Sequence, residues 1–394
     1  MVTNKIESIT GVSQDENSSN NSSSVSGSVL VQRILRRTVL IGAVVLGCYV
    51  LFSSISPHQF LPSFFYPLTS NSSFPVLMNN NSVDELEGVL RNATMKDKTV
   101  IMTTLNDAWA EPNSVFDLFI KSFKVGNNTK GLLKHLVVIC LDDKAYSRCI
   151  DSHPHCYQLR TSGANFTNEA AFMSPHYLDM MWRRIEFLGY VLELGYSFVF
   201  TDTDIMWLRD PFERFFKEAD FQIACDYFKG NPYDRKNNPN GGFTYVRSNT
   251  RSINFYKFWY FSRWAHPGLH DQDVLNLIKF DPFINRIGLK MVFLDTAYFG
   301  GFCQPSRDLD LVCTMHANCC VGLHNKINDL TILLDQDWKT YMQQHEQPTL
   351  NSSTNSTTTH ASWTVPQNCR YVYLYLLSPY PFYFFFFNVV DSEN

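Results

Sequence analysis

Two carboxylates one residue apart, Asp202 and Asp204, close a hydrophobic run in SFVFTDTDIMWLRDP, Ser197 to Pro211. A strand that ends in two acids offers a site for a hard divalent cation, and a cation there can carry a diphosphate. Short acidic pairs also recur on surfaces as solvated turns. Here Phe198, Val199 and Phe200 precede the pair and Ile205, Met206, Trp207 and Leu208 follow it, so the acids are held between two buried stretches. A sugar nucleotide reacts by losing its diphosphate, and Mg²⁺ or Mn²⁺ bridging the phosphates neutralises the charge that grows on the leaving group. The motif therefore suggests sugar transfer from a nucleotide.

Two carboxylates fill only part of an octahedron, and a third ligand is expected downstream. His316 in VCTMHANCCVGLHNK is the first candidate and His324 the second, although a single histidine is more often structural. An imidazole beside oxygen ligands favours Mn²⁺ over Mg²⁺. Lys326 brings an ammonium for a phosphate oxygen, with Gly322 before it allowing close backbone approach. Between the acids and this segment lie two more clusters. Asn240-Gly241-Gly242-Phe243 combines an amide with room for a sugar, and reads equally well as a tight turn before a strand at Phe243 to Val246. HDQDVLN places Asp271, Gln272 and Asp273 at the start of a helix, where one acid suffices as a cap and three polar groups exceed that need.

The elements that must position these groups alternate between strand-like and helical patterns from about Lys98 to Tyr341. This predicts an α/β domain with a Rossmann-like, mostly parallel sheet and flanking helices. Strands are expected at Thr99 to Thr104, His135 to Asp142, Ser197 to Thr201, Phe221 to Cys225 and Met291 to Leu294. The continuous Val/Ile/Leu content of the second marks a strand buried on both faces. Helices are expected at Asn113 to Phe123, Ser174 to Tyr196, Ser252 to Ser262 and Asp271 to Ile278. The polar, Pro-rich segment Lys229 to Asn240 reads as a mobile loop near ligand.

The ends are built differently. The chain has 394 residues and a formal net charge of −4, which gives no reason to expect nucleic acid. Residues 1–37 read as a disordered cytosolic tail. Residues 38–55, uncharged and preceded by Arg33, Arg36 and Arg37, read as a transmembrane signal anchor of type II orientation. Residues 56–97 would be a lumenal stem, 98–345 the catalytic domain and 346–369 an extension. Sequons at Asn71, Asn80, Asn92, Asn127, Asn165, Asn351 and Asn355 all lie beyond the anchor. Of ten cysteines, Cys48 falls in the anchor; Cys149 with Cys156, and Cys303 with Cys313, Cys319 or Cys320, are near enough in sequence to bridge. Within residues 370–394, Arg370 to Val390 is almost wholly aromatic and aliphatic with no structural period. The whole stretch reads as a translated intron retained after Cys369.

Four motifs in order, LELGYSFVFTDTDIMWLRDPF, NGGFTYVRSN, HDQDVLN and CTMHANCCVGLHNK, resemble the plant nucleotide-diphospho-sugar transferase family, glycosyltransferase family 77. The family includes rhamnogalacturonan-II xylosyltransferases and extensin arabinosyltransferases. The resemblance implies a GT-A fold, a UDP-sugar donor, a glycan or glycoprotein acceptor, retention of anomeric configuration and residence in the Golgi membrane. It makes Asp202 and Asp204 the metal and nucleotide motif, with His316 completing the metal site. Asn240 and Gly241 would line the donor sugar, with Asp273 and Lys326 also in the donor site, and Asp271 and Gln272 would lie near the reacting carbon. Arg184, or Arg183 beside it, would point at the acidic motif; Thr103, Thr104 and Asn106 would hold uridine. Two other readings of the acidic pair are a phosphatase of the haloacid dehalogenase type and a catalytically silent Golgi scaffold.

Overall fold

The computed structural model describes residues 36–43, 46, 80–160, 173–346 and 362–369. The chain divides into two units, Met1–Ser70 and Asn71–Asn394. In the first, residues 36–43 and 46 are helical, with Val39, Leu40, Ile41 and Leu46 exposed. The rest of the expected anchor and tail, the stem as far as residue 79, and residues 370–394 lie outside the described residues. Among the described residues no helix is long and apolar enough to cross a membrane.

The second unit is built on a seven-stranded sheet of order β3-β2-β1-β4-β7-β6-β8. Its strands are β1 (Thr99–Leu105), β2 (Leu136–Cys140), β3 (Cys156–Gln158), β4 (Ser197–Thr201), β6 (Phe221–Tyr227), β7 (Asn238–Val246) and β8 (Met291–Phe293). All run parallel except β7, which is antiparallel to both neighbours. Every residue of β2, LVVIC, is buried, as expected of a strand with both faces covered. A second sheet of order β5-β10-β9 is made by β5 (Ile205–Trp207), β9 (Phe299–Gly301) and β10 (Thr314–His316).

The helix Pro175–Glu193 starts where Ser174 Oγ accepts from the Tyr177 amide at 3.2 Å and proline takes the first turn. It ends at Gly195, whose φ of 84° is the left-handed conformation a glycine adopts after a helix. The helix Val115–Val125 packs Phe123 on Trp207 of β5, ring centroids 4.7 Å apart, and Ser122 Oγ accepts from the Trp207 amide at 3.0 Å. Aromatic stacking and a satisfied buried amide thus fix the strand that follows the acidic pair.

Several expectations change. The helix Asn80–Ala93 falls in the stretch read as stem, yet buries Leu86, Leu90 and Ala93, so packed structure begins before Lys98. Asn240 to Gly242 form no turn before a strand; they lie inside β7. There Ile223 pairs with Thr244 and Cys225 with Pro239, so residues 240–243 bulge opposite Ala224 alone. The loop before β7 is tied down: Asn237 donates to the carbonyls of Asn231 and Asp234, both at 2.8 Å, and Lys279 Nζ reaches the Asn237 carbonyl at 2.7 Å. Disulfides join Cys149 to Cys156, Cys303 to Cys319 and Cys320 to Cys369. The second resolves an open choice, and the third was not anticipated.

Candidate active site

The acidic pair leaves the C-terminal end of β4 and turns directly into β5. The fold returns its third partner through β10, where His316 pairs across the small sheet with Ile205, the residue after Asp204. One ligand atom from each of Asp202, Asp204 and His316 lies within 4.8 Å of the others. His324 sits outside this cluster, in the first turn of the helix Leu323–Ile332.

Asp204 Oδ1 is buried and makes no hydrogen bond, although His316 Nε2 is 3.2 Å away. A buried carboxylate oxygen and an imidazole nitrogen this close are disposed to share a cation. Asp204 Oδ2 meets Lys326 Nζ at 2.6 Å, and the same ammonium reaches the Ala317 carbonyl at 3.1 Å. Burial opposes ionisation of both carboxylates. At Asp204 the charges of Lys326 and His316 overcome it and hold the carboxyl well below the usual range, whereas Asp202, whose main cation is Arg184, is raised.

Backbone makes room for the cluster at Gly242. Its amide lies 2.9 Å from Asn240 Oδ1, its carbonyl accepts from the Asp202 amide at 2.7 Å, and a Cβ there would stand 2.5 Å from Asp202 Oδ2 and 2.7 Å from His316 Cε1. No side chain fits.

Arg184, in the middle of the helix Pro175–Glu193, joins the acidic motif to the next helix. It donates to Asp202 Oδ1 at 3.0 Å and to Asp271 Oδ2 at 2.7 Å, with its guanidinium stacked 4.9 Å from the Phe200 ring. Arg183 instead pairs with Glu186 at 3.0 Å. Burial alone would raise the Asp271 carboxyl, but Arg184 and His270 hold it at about 2. Asp271 is therefore an ionised bridge with both oxygens engaged. Asp273, half-exposed, lies 3.3 Å from His270.

Gln272 points the other way. Its Oε1 accepts from the Gly241 amide at 2.9 Å and its Nε2 donates to Asp226 Oδ2 at 3.0 Å. Gly241 is the meeting point: a Cβ there would touch Arg184 Nη2 and Asp271 Oδ2 at 3.5 Å and Gln272 Oε1 at 3.9 Å.

The residues at the end of β1 are arranged around the neighbouring helix. Thr104 lines a small cavity with Ile139, Leu141, Arg183 and Arg184. Thr103 is fully buried with its hydroxyl unpaired, and Asn106 caps the short helix Asp107–Ala110, accepting from the Trp109 amide. Asp226 and Asn318 were not singled out in the sequence. A lone acid after FQIAC carries no pattern, and Asn318 was passed over beside His316.

Residues 131–330 match the nucleotide-diphospho-sugar transferase family. An uncharacterized protein of Arabidopsis thaliana is 53% identical over 292 residues, covering 74% of this chain and 75% of that protein. A second from the same plant is 41% identical over 270 residues, covering 67% and 80%. The Arabidopsis thaliana UDP-D-xylose:L-fucose alpha-1,3-D-xylosyltransferase 3 is 22% identical over 222 residues, covering 55% of this chain and 56% of its own length. With acids at the end of a parallel strand, a histidine returned beside them and this match over the region that carries both, the chain is a glycosyltransferase and belongs to the nucleotide-diphospho-sugar transferase family.

Proposed function

We propose that the protein is a metal-dependent, retaining transferase of GT-A architecture that moves a sugar of the xylose, arabinose or galactose class from UDP to a cell-wall polysaccharide or glycoprotein. The observation that carries this reading is the convergence of Asp202, Asp204 and His316 beside Gly242. Two carboxylates and an imidazole suit Mn²⁺, with Mg²⁺ second, and the unpaired Asp204 Oδ1 fits a ligand role. When bound, such an ion neutralises charge on the departing diphosphate.

The chain's own groups supply the rest. Lys326 carries a positive charge to the edge of the acidic pair, where phosphate oxygens would collect. Gln272 is a poor nucleophile, and Asp271 is engaged by Arg184 and His270. This favours front-face attack, in which the acceptor hydroxyl gives its proton to the leaving diphosphate while Gln272 and Asp271 steady positive charge at the anomeric carbon. A pentose donor is supported by the name of the xylosyltransferase relative. Golgi residence in type II orientation is supported by the uncharged run 38–55 and by the sequons beyond it.

Calorimetric titration with UDP tests the reading. The wild-type protein should bind UDP in the presence of Mn²⁺ and lose most of that affinity in EDTA, and Asp204→Asn, measured below its own lowered unfolding temperature, should bind neither ion nor nucleotide. UDP binding indifferent to Mn²⁺, or intact in Asp204→Asn, would refute it.

A further inference from the structure

Asp226, at the C-terminal end of β6, gathers three side-chain amides. Its Oδ1 accepts from Asn240 Nδ2 and Asn318 Nδ2, both at 2.8 Å, and its Oδ2 accepts from Gln272 Nε2 at 3.0 Å. The three come from the bulge of β7, the turn after β10 and the first turn of the helix Asp271–Ile278. Each amide also has its carbonyl oxygen on a main-chain N–H: Asn240 on Gly242 at 2.9 Å, Gln272 on Gly241 at 2.9 Å, Asn318 on Cys303 at 3.1 Å. Turning any of them over would set its NH₂ against an N–H and its carbonyl against a carboxylate, so all three orientations are determined.

A carboxylate suits this hub because its two oxygens can accept all three N–H bonds; burial raises the Asp226 carboxyl, and the bonds from the three amides act against that by favouring its charged form. An asparagine in the same place would point its own NH₂ at one of the three. The charge behind the Gln272 NH₂ also polarises that amide and enriches its Oε1 in negative charge. Asn318 lies two residues beyond His316, and the Cys303–Cys319 bond pins the same turn, so one carboxylate links the ligand-bearing turn to the helix that carries Gln272.

We infer that Asp226 is a positioning residue for sugar transfer: it fixes Gln272 with a polarised carbonyl oxygen on the Gly241 side, where positive charge develops on the donor sugar. This rests on the proposed transferase function and adds a residue to it. Its effect on the reacting carbon passes through Gln272, while its bonds to Asn240 and Asn318 hold the neighbouring segments.

The test is hydrolysis, in Mn²⁺ and without acceptor, of whichever of UDP-xylose, UDP-arabinofuranose and UDP-galactose the wild-type protein cleaves. Asp226→Asn should lower kcat by about 10²-fold, the usual cost of a misplaced catalytic group, with KM little changed. In a Gln272→Ala background the same change should cost far less than in the wild type. Asp226→Glu, which restores a carboxylate, should recover part of the loss, with kcat of both variants referred to the fraction folded in thermal unfolding of the same samples. Unchanged kcat in Asp226→Asn, losses that multiply in the double variant, or a Glu variant no better than Asn would each overturn the inference. A wild-type protein that hydrolyses none of the three would sink the transferase reading and this inference together. An active wild type with an insensitive Asp226→Asn sinks this one alone.

Discussion

At the scale of single residues the site is governed by what cannot be added or turned. Gly242 is the sharpest case, since a methyl group there would stand 2.5 Å from Asp202 Oδ2, well inside contact distance. The neighbouring atoms are side-chain ends, but Asp202 is held by Arg184 and His316 is buried in β10, so neither moves without losing those contacts. Gly242→Ala is therefore expected to displace Asp202 or His316 and to lower Mn²⁺ affinity at least as much as losing one ligand, with a smaller effect on overall stability. Calorimetry with Mn²⁺ alone against thermal unfolding of the same sample separates the two; unchanged ion affinity would contradict the placement of the glycine.

At the scale of elements, placement depends on register and covalent clamps. The short strand β10 delivers His316 because Thr314, Met315 and His316 pair with Trp207, Met206 and Ile205; a slip of one residue would turn the imidazole to the other face. The helix Leu323–Ile332, which carries Lys326, is clamped from the C-terminal side. Buried Asp329 accepts from the amides of Gln367, Asn368 and Cys369 at 3.0, 3.0 and 2.7 Å, and Cys369 is bonded to Cys320. The bond spans 49 residues, and a loop of that length is worth about 4 kcal/mol in the chain-entropy account. Cys369→Ser should shift the urea unfolding midpoint downward by a large part of the total stability. A midpoint within error of wild type would show that the hydrogen bonds to Asp329 suffice alone.

At the scale of the whole molecule, the buried ion pairs set how stability responds to acid. Asp271 is held at about 2 against an ordinary 3.8. A depressed carboxyl contributes stability that is fully present above its unfolded value and is lost as pH falls through its folded value, here about 2 kcal/mol between roughly pH 4 and pH 2. His270 has the opposite sign: burial works against its charged form, but Asp271 and Asp273 raise it, so its share is present at lower pH and fades as pH rises above the usual histidine range. The pair is one interaction and is counted once. Urea titrations between about pH 5 and pH 2 should show stability falling with acid below about pH 4, and Asp271→Asn should flatten that slope; an equal slope in the variant would assign the acid sensitivity elsewhere.

Much of this was legible in the chain because it is local. The helix from Asp271 to Ile278 follows from its apolar spacing, although His270 and not Asp271 caps it, and β4 follows from a hydrophobic run ended by acids. The bulge at residues 240–243 was not legible, since two glycines after an asparagine describe a turn as well as a strand broken against its neighbour. Asp226 left no signal, because its partners lie 14, 46 and 92 residues away and an acid at a strand end has no spacing rule of its own.

The amino-acid sequence by itself determined which chemistry was available: hard acid ligands, an imidazole, an ammonium, a glycine-rich approach and helices with caps. Those depend on side-chain type and on periods of two or 3.6 residues, both of which are local. Only the tertiary structure decided which of two arginines faces the acids, which histidine joins them, and that Lys326, 122 residues from Asp204, ends 2.6 Å from it. Such contacts are set by strand register and by the crossing of whole elements, and the free energy that fixes them is spread over the buried core instead of residing in any short stretch of chain.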